Sequence, residues 1–359
     1  MSTKPIYYVY PISKWVSFRF IAEQHVRELR KQYNVITADE KSFTTIALVA
    51  TVSTNPLFFL HPFFYPFEVY KKKVLDKTHI RAQIIAVDVS DSDRISEYAV
   101  NALNYAEAII VPSNFSRNAL ISSGVEKPVY VVPHGCTKEF LTSPKLQPKK
   151  FTELHKYKVK HNKKLIQCWL LHSGYRKGED LLYEIFNKLV SERDDVALVV
   201  RRPLSIDVYE SKIAIENLEP KFRINVSFLD DLSIIELMDI CDVYLLTSRG
   251  GGFEHPALQA LARKKIVFGA KGGAWEDFLP DFCLIPSVKS GTVLPNNPIH
   301  IGCGVEMLTD KAVDILHQAL DNFDDWKSRI EQYVQSVIVP NYEWSVIGKK
   351  LIEITKKHL

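Results

Sequence analysis

The chain has 359 residues, 46% of them hydrophobic, enough to fill two domain cores. Its 46 Lys and Arg against 42 Asp and Glu leave a net charge of +4, too weak to make nucleic acid a partner and compatible with an anionic ligand or an acidic membrane surface. The five cysteines, Cys136, Cys168, Cys241, Cys283 and Cys303, lie far apart with no CxxC pair, which argues against a structural zinc site and for a reduced, cytoplasmic protein.

The first residues, M-S-T-K-P-I-Y-Y-V-Y, lack the layout of a signal peptide. No apolar run approaches the ~20 residues needed to span a bilayer. Short apolar runs predict strands at residues 6–10, 45–50, 82–88, 108–111 and 129–132, with helical patterns at 20–33 and 94–105. Residues 140–162 carry two prolines, many lysines and little periodicity, and read as a linker. Beyond it, strands are expected at 164–171, 196–200, 225–229, 243–247 and 265–270. Helices are expected at 180–192, 233–240 and 254–264. This alternation predicts parallel sheets built from βαβ units. Two doubly wound domains follow, 1–150 and 151–341, facing a central cleft, with the Lys-rich helix 342–359 packing back on the first.

Several constellations fall at predicted strand ends. Gly250-Gly251-Gly252 follow the strand at 243–247, and a helix opens at Glu254-His255-Pro256. Glycines allow a backbone to approach a ligand, and a helix start offers N–H groups and partial positive charge to an anion. The plain alternative is a tight turn. His172-Ser173-Gly174-Tyr175-Arg176-Lys177-Gly178 sets two adjacent cations in a turn before a helix, suited to a diphosphate, although basic loops are more often simply solvated. Asp88, Asp91 and Asp93 cluster just past a strand, where carboxylates hold hydroxyls, move a proton or cap a helix. Residues 57–67, L-F-F-L-H-P-F-F-Y-P-F, read as core; with Lys71-Lys72-Lys73 beside them they also admit a peripheral membrane contact.

In this order the constellations resemble the retaining glycosyltransferases of family 4, which have the GT-B fold. The resemblance covers most of the chain and is strongest over residues 88–273. I-I-V-P-S-N-F-S-R-N-A-L-I-S-S-G-V followed by V-V-P-H-G is similar to the family's end-of-first-domain signature, with His134 in place of the usual Asn. W-L-L-H-S-G-Y-R-K-G-E-D-L-L matches the opening of the nucleotide domain, where an Arg and a Lys bind the donor diphosphate. Lys177 takes the Lys position, and His172 stands at the Arg position with Arg176 as a substitute. The family motif E-G-F-G-L-P-x-L-E-A aligns through Phe253, Pro256, Leu258 and Ala260. Its first glutamate falls on Gly251, its second on Gln259, and Glu254 takes a family glycine. The loop at 11–17, including Ser13, lacks the family's Gly-Gly.

The resemblance implies a retaining, metal-independent transfer from a UDP- or GDP-linked sugar, with no cofactor, to an acceptor hydroxyl on a glycan, lipid or protein. Lys177, with His172 or Arg176 and the Gly251-Gly252-Phe253-Glu254 turn, would meet the leaving diphosphate. Gln259 would hold the ribose and Glu254 would orient the sugar. Asp88 and His61, with Asp91 and Ser13, would lie on the acceptor side, and the leaving phosphate would take the acceptor's proton. The departures at Gly251 and His172 keep two other readings open: a non-catalytic nucleotide-sugar-binding protein, and an epimerase or hydrolase on the same fold.

Overall fold

The computed structural model describes residues 4–78, 80–142, 148–171, 174–227 and 229–359. The chain divides into two compact units. One runs to Gly135 and includes Asn296–Gly302 and Tyr342–Leu359; the other comprises Cys136–Pro295 and Cys303–Asn341. The division falls before the expected boundary at residue 150, for a physical reason. Arg263 donates to the carbonyls of Glu139, Phe140 and Thr142 at 3.0, 3.2 and 2.7 Å. The Glu236 carboxylate accepts the N–H groups of Lys149, Lys150 and Phe151. These bonds commit the supposed linker to the second unit.

The first unit holds β1 (Ile6–Tyr10), β2 (Val35–Asp39), β3 (Leu57–Leu60), β4 (Gln83–Val87), β5 (Ala108–Val111) and β6 (Val129–Val131). They form one parallel sheet in the order β2-β1-β3-β4-β5-β6. Side chains alternate between two cores, as the period of two requires. Val9, Phe58, Leu60, Ile84 and Ile109 share one with helix Phe43–Ser53. Tyr8, Leu57, Phe59, Ile85 and Ile110 share the other with helices Ser17–Leu29 and Trp344–His358.

One sequence expectation fails here and another holds. Residues 45–50 lie inside helix Phe43–Ser53 and form no strand; their β-branched residues favour a strand intrinsically, but tertiary packing of Phe43, Ala47 and Ala50 at helical spacing overrides that preference. The aromatic run at 57–67 is core: β3 is wholly buried, as are Phe63 and Phe67.

The second unit holds β7 (Lys164–Trp169), β8 (Val196–Arg201), β9 (Ser205–Tyr209), β10 (Phe222–Asn225), β11 (Val243–Leu246), β12 (Ile266–Ala270) and β13 (Leu284–Ile285), in the order β10-β9-β8-β7-β11-β12-β13. β9 runs antiparallel to both its neighbours, β8 and β10, and the other pairings are parallel. The strand expected at 225–229 ends at Asn225. A separate hairpin pairs β14 (Ser287–Thr292) with β15 (Cys303–Met307). All five cysteines are free thiols. Among the described residues no helix is long and apolar enough to cross a membrane.

Candidate functional site

In a doubly wound sheet, ligands bind beyond the carboxyl ends of the strands, where the strand order reverses. In the second unit that point lies between β7 and β11, because β7 has β8 on one side and β11 on the other. The loops leaving β7 and β11 are the two that the sequence singles out.

Both are held in place by a close approach. After β7 comes a short helix, Gly174–Lys177, then Gly178 at φ +67° in the left-handed region. A Cβ on Gly178 would lie 2.1 Å from the Thr247 carbonyl oxygen, so only glycine fits. The Thr247 hydroxyl donates to the Lys177 carbonyl at 2.9 Å, closing the two loops on each other. Lys177 thereby reaches the β11 loop, where its Nζ donates to both carboxylate oxygens of Glu254, at 2.6 and 2.8 Å. The two side chains are 13% and 6% exposed.

Glu254 is the N-cap residue of helix His255–Ala262, with φ +67° and ψ 63°. That conformation is costly for a residue with a side chain, by ~1–3 kcal/mol. Its carboxylate makes no capping bond; it folds back toward Lys177 across Gly251. A Cβ on Gly251 would stand 2.4 Å from Glu254 Oε1. The absence of a side chain at 251 is what gives the Glu254 carboxylate its place. Gly252 and Phe253 are buried, the Phe253 ring lying 5.1 Å from that of Phe278. Gln259 is buried in helix His255–Ala262.

Arg176 is buried and donates to the Gly250 carbonyl at 3.0 Å, so it braces the glycine turn. His172 lies outside the described residues.

The residue that sequence reasoning missed is Arg249. It is buried, and its guanidinium bonds both carboxylate oxygens of Asp180 at 2.8 and 2.6 Å, Glu306 of β15 at 2.5 Å, and the Tyr175 carbonyl at 2.8 Å. It also stacks 4.2 Å from the Tyr175 ring centroid, while its N–H donates to the Arg176 carbonyl at 2.7 Å. One side chain ties the β7 loop, the β11 loop and the hairpin together. An arginine directly before a glycine run is the only local signal of this, since its partners are far off in sequence.

The first unit reverses its order between β1 and β3. Here the Tyr8 hydroxyl meets Nδ1 of His25 at 2.8 Å and Nδ1 of His61 at 3.0 Å. It can donate to one ring and accept from the other, which fixes opposite tautomers on the two imidazoles. All three groups are buried. Burial lowers the pKa of His25 to about 3 and, with His25 nearby, holds His61 well below its ordinary value.

Asp88 lies just past β4, and both its oxygens accept backbone N–H groups, from Phe63 at 2.9 Å and from Val89 at 2.8 Å. Burial raises its pKa to about 6, against the lowering effect of those bonds. Its carboxylate anchors the loop that carries His61, which follows β3. Ser13 is tied through both its N–H and its hydroxyl to Asp39 at the end of β2, at 3.4 Å. The Asp91 N–H lies 3.4 Å from Nδ1 of His300, in the segment 296–302 that joins this unit from far along the chain.

No family model matches the chain. Among known proteins it is 35% identical to Uncharacterized protein 356 of Sulfolobus islandicus rod-shaped virus 1, with 99% of each chain covered. It is 27% identical to Putative glycosyltransferase 45 of a Sulfolobus islandicus filamentous virus, over 68% of this chain and 66% of that one. Solved structures with the same fold include Anabaena HepE in complex with UDP and glucose (TM-score 0.69, 14% identity, covering 99% of this chain and 100% of that one). They also include sucrose-phosphate synthase of Thermosynechococcus elongatus (TM-score 0.67, 11% identity, covering 99% and 98%). The chain has the GT-B fold of these glycosyltransferases and belongs to the same family as Uncharacterized protein 356 of Sulfolobus islandicus rod-shaped virus 1.

Proposed function

We propose that the protein is a retaining, family 4-like glycosyltransferase that moves a sugar from a UDP-linked donor to an acceptor hydroxyl. The observation that carries the reading is the Lys177–Glu254 pair, held at the carboxyl ends of β7 and β11 by Gly178 and Gly251. A cation and a carboxylate at this point match the needs of a nucleotide sugar: positive charge for the diphosphate and an acceptor of hydrogen bonds for the sugar. The UDP and glucose bound by Anabaena HepE, on the same fold, support uridine as the base.

In this reading Lys177, with the Gly251–Glu254 turn, meets the charge that develops on the departing diphosphate, so no metal or cofactor is needed for that task. Arg176 supports the turn through Gly250. Glu254 orients the donor sugar in the role that a glutamate at 251 would have had. Gln259 holds the ribose. The anomeric C–O bond to phosphate breaks while the acceptor oxygen bonds the same carbon on the same face, and the acceptor proton passes to the leaving phosphate. Asp88 then need not be a base; its two backbone bonds support a positioning role for the His61 loop on the acceptor side. The free thiols support a reducing, cytoplasmic setting.

A thermal-shift screen with UDP, GDP, ADP and their sugars, with and without a chelator, tests the reading. A ligand at a hundred times its Kd adds about 2.7 kcal/mol to stability. UDP and a UDP-sugar should raise Tm with the chelator present. No shift with any nucleotide would sink the proposal. Binding without turnover on an acceptor panel would favour the non-catalytic alternative, and rapid release or epimerisation of sugar without acceptor would favour the hydrolase or epimerase.

A further inference from the structure

Helix Phe43–Ser53, F-T-T-I-A-L-V-A-T-V-S, contains no charged residue. Its inner side, Phe43, Ala47 and Ala50, joins the core. Its outer side does not: Leu48, Val49 and Val52 are 41%, 66% and 71% exposed. With Thr45 they fall at spacings of three and four, one continuous stripe along the helix. A solvated helix normally carries charge on that stripe, and an exposed apolar face of this kind marks an interaction surface.

Directly beside it, Val74 shares the same core, and the turn Lys71–Leu75 packs against the helix. Residues 64–78 carry four lysines, Lys71, Lys72, Lys73 and Lys77, against Glu68 and Asp76, which pair with Lys72 at 2.7 Å and Lys71 at 2.9 Å, so the segment keeps a net charge of +2. Lys72, Lys73 and Lys77 are exposed.

We propose that this face docks on a lipid bilayer with anionic headgroups. The helix lies in the interfacial plane with Leu48, Val49 and Val52 inserted and the neighbouring lysines on the phosphates. At 1.5 Å per residue an eleven-residue helix is about 16 Å long, far short of the ~30 Å needed to span the hydrocarbon. Charge decides against a second copy of the chain as the occupant, because self-docking would bring two lysine-rich rims together. The surface keeps the lysines that the sequence offered and takes its apolar part from helix Phe43–Ser53, since the aromatic run at 57–67 is core. It stands apart from the proposed donor chemistry.

The test is flotation of the full chain with vesicles of equimolar phosphatidylglycerol and phosphatidylcholine, and with vesicles of pure phosphatidylcholine. The wild type should float with the first and far less with the second. Val49→Glu with Val52→Glu should cut binding at least ~ten-fold. Lys73→Glu with Lys77→Glu should cut it by about five-fold or more per lysine and leave residual binding that salt abolishes less readily. The lysine pair is exposed, so that variant keeps the test alive if the valine variant misfolds by circular dichroism. Absence of binding to anionic vesicles, or equal binding by folded variants, would overturn the proposal. So would a dimer seen by light scattering that the valine variant dissolves, which would make the face an interface between copies.

Discussion

In the second unit, the loops at the sheet's reversal point converge on charge: Lys177 bonded to Glu254, and Arg249 bonded to Asp180 and Glu306. In the first unit, the corresponding place between β1 and β3 holds a buried tyrosine and two imidazoles that burial keeps neutral. The two sheets differ in strand number and order, but each reverses its order beside its first strand, so the reversal point alone does not choose the chemistry. What differs is the loop sequence. Glycines at 178 and 251 let backbone and carboxylate come together in one unit, and aromatic packing around His25 and His61 excludes water in the other.

The neutrality of the first site has the largest consequence. The folded pKa of His25 is depressed from 6.5 to about 3, so as pH falls the unfolded chain takes up its proton first. Its contribution to stability is present above about pH 6.5 and is lost progressively down to about pH 3. Each tenfold drop in proton affinity on folding is worth about 1.4 kcal/mol, so the loss amounts to several kcal/mol, and the lowered His61 adds to it with the same sign. Urea unfolding at pH 7 and pH 4 should show this loss in the wild type and a smaller one in His25→Gln, which keeps a polar partner for Tyr8. Parallel losses in the two proteins would mean that the network is not held neutral.

On the charged side, Lys177→Ala should lower kcat/KM for a nucleotide sugar by ~10²-fold, the usual effect of deleting a group that stabilises developing negative charge. Circular dichroism should show a retained fold. Near-wild-type turnover would remove the contrast between the sites, because Lys177 and Glu254 would then be a structural pair.

Gly251→Ala is the more delicate change. The added methyl meets the Glu254 side chain first, 2.4 Å from Oε1, 3.2 Å from Cδ and 3.3 Å from Cγ, so the side chain moves and the backbone stays. Turnover should fall about ten-fold through misplacement of one group, with Tm nearly unchanged. A large drop in Tm instead would place the effect in the fold and not in the carboxylate.

The charged site is far more legible in the sequence than the neutral one. Glycines, cations and a carboxylate at strand ends are local signals, and they point to Lys177, Gly251 and Glu254 without any knowledge of the fold. Arg249 is not legible, because its function depends on Asp180 and Glu306 meeting it from far along the chain. Tyr8, His25 and His61 come from a strand, a helix and a loop, and nothing in their spacing says that they touch. The sheets follow from alternating apolar runs, yet β2 and β9, which carry the acidic residues Asp39 and Asp207, escape that pattern, and β3 is hidden within the longer aromatic run at 57–67. Residues 45–50 read as a strand because an uncharged, β-branched helix looks like one when its outer face is apolar.

The smallest effect is the sharpest on mechanism. Glu254 occupies Lys177 with both oxygens, so under the proposed function a diphosphate would displace a carboxylate to reach the cation. Glu254→Gln keeps the shape and removes the competing charge. UDP affinity, measured by calorimetry, should therefore rise about three- to five-fold, under 1 kcal/mol, while turnover of the UDP-sugar falls because the amide orients the sugar less well. The two readouts move in opposite directions only if Glu254 both restrains Lys177 and serves the sugar. Weaker UDP binding together with lower stability would mean that the pair simply holds the two loops together, alongside Arg249, Thr247 and Arg176.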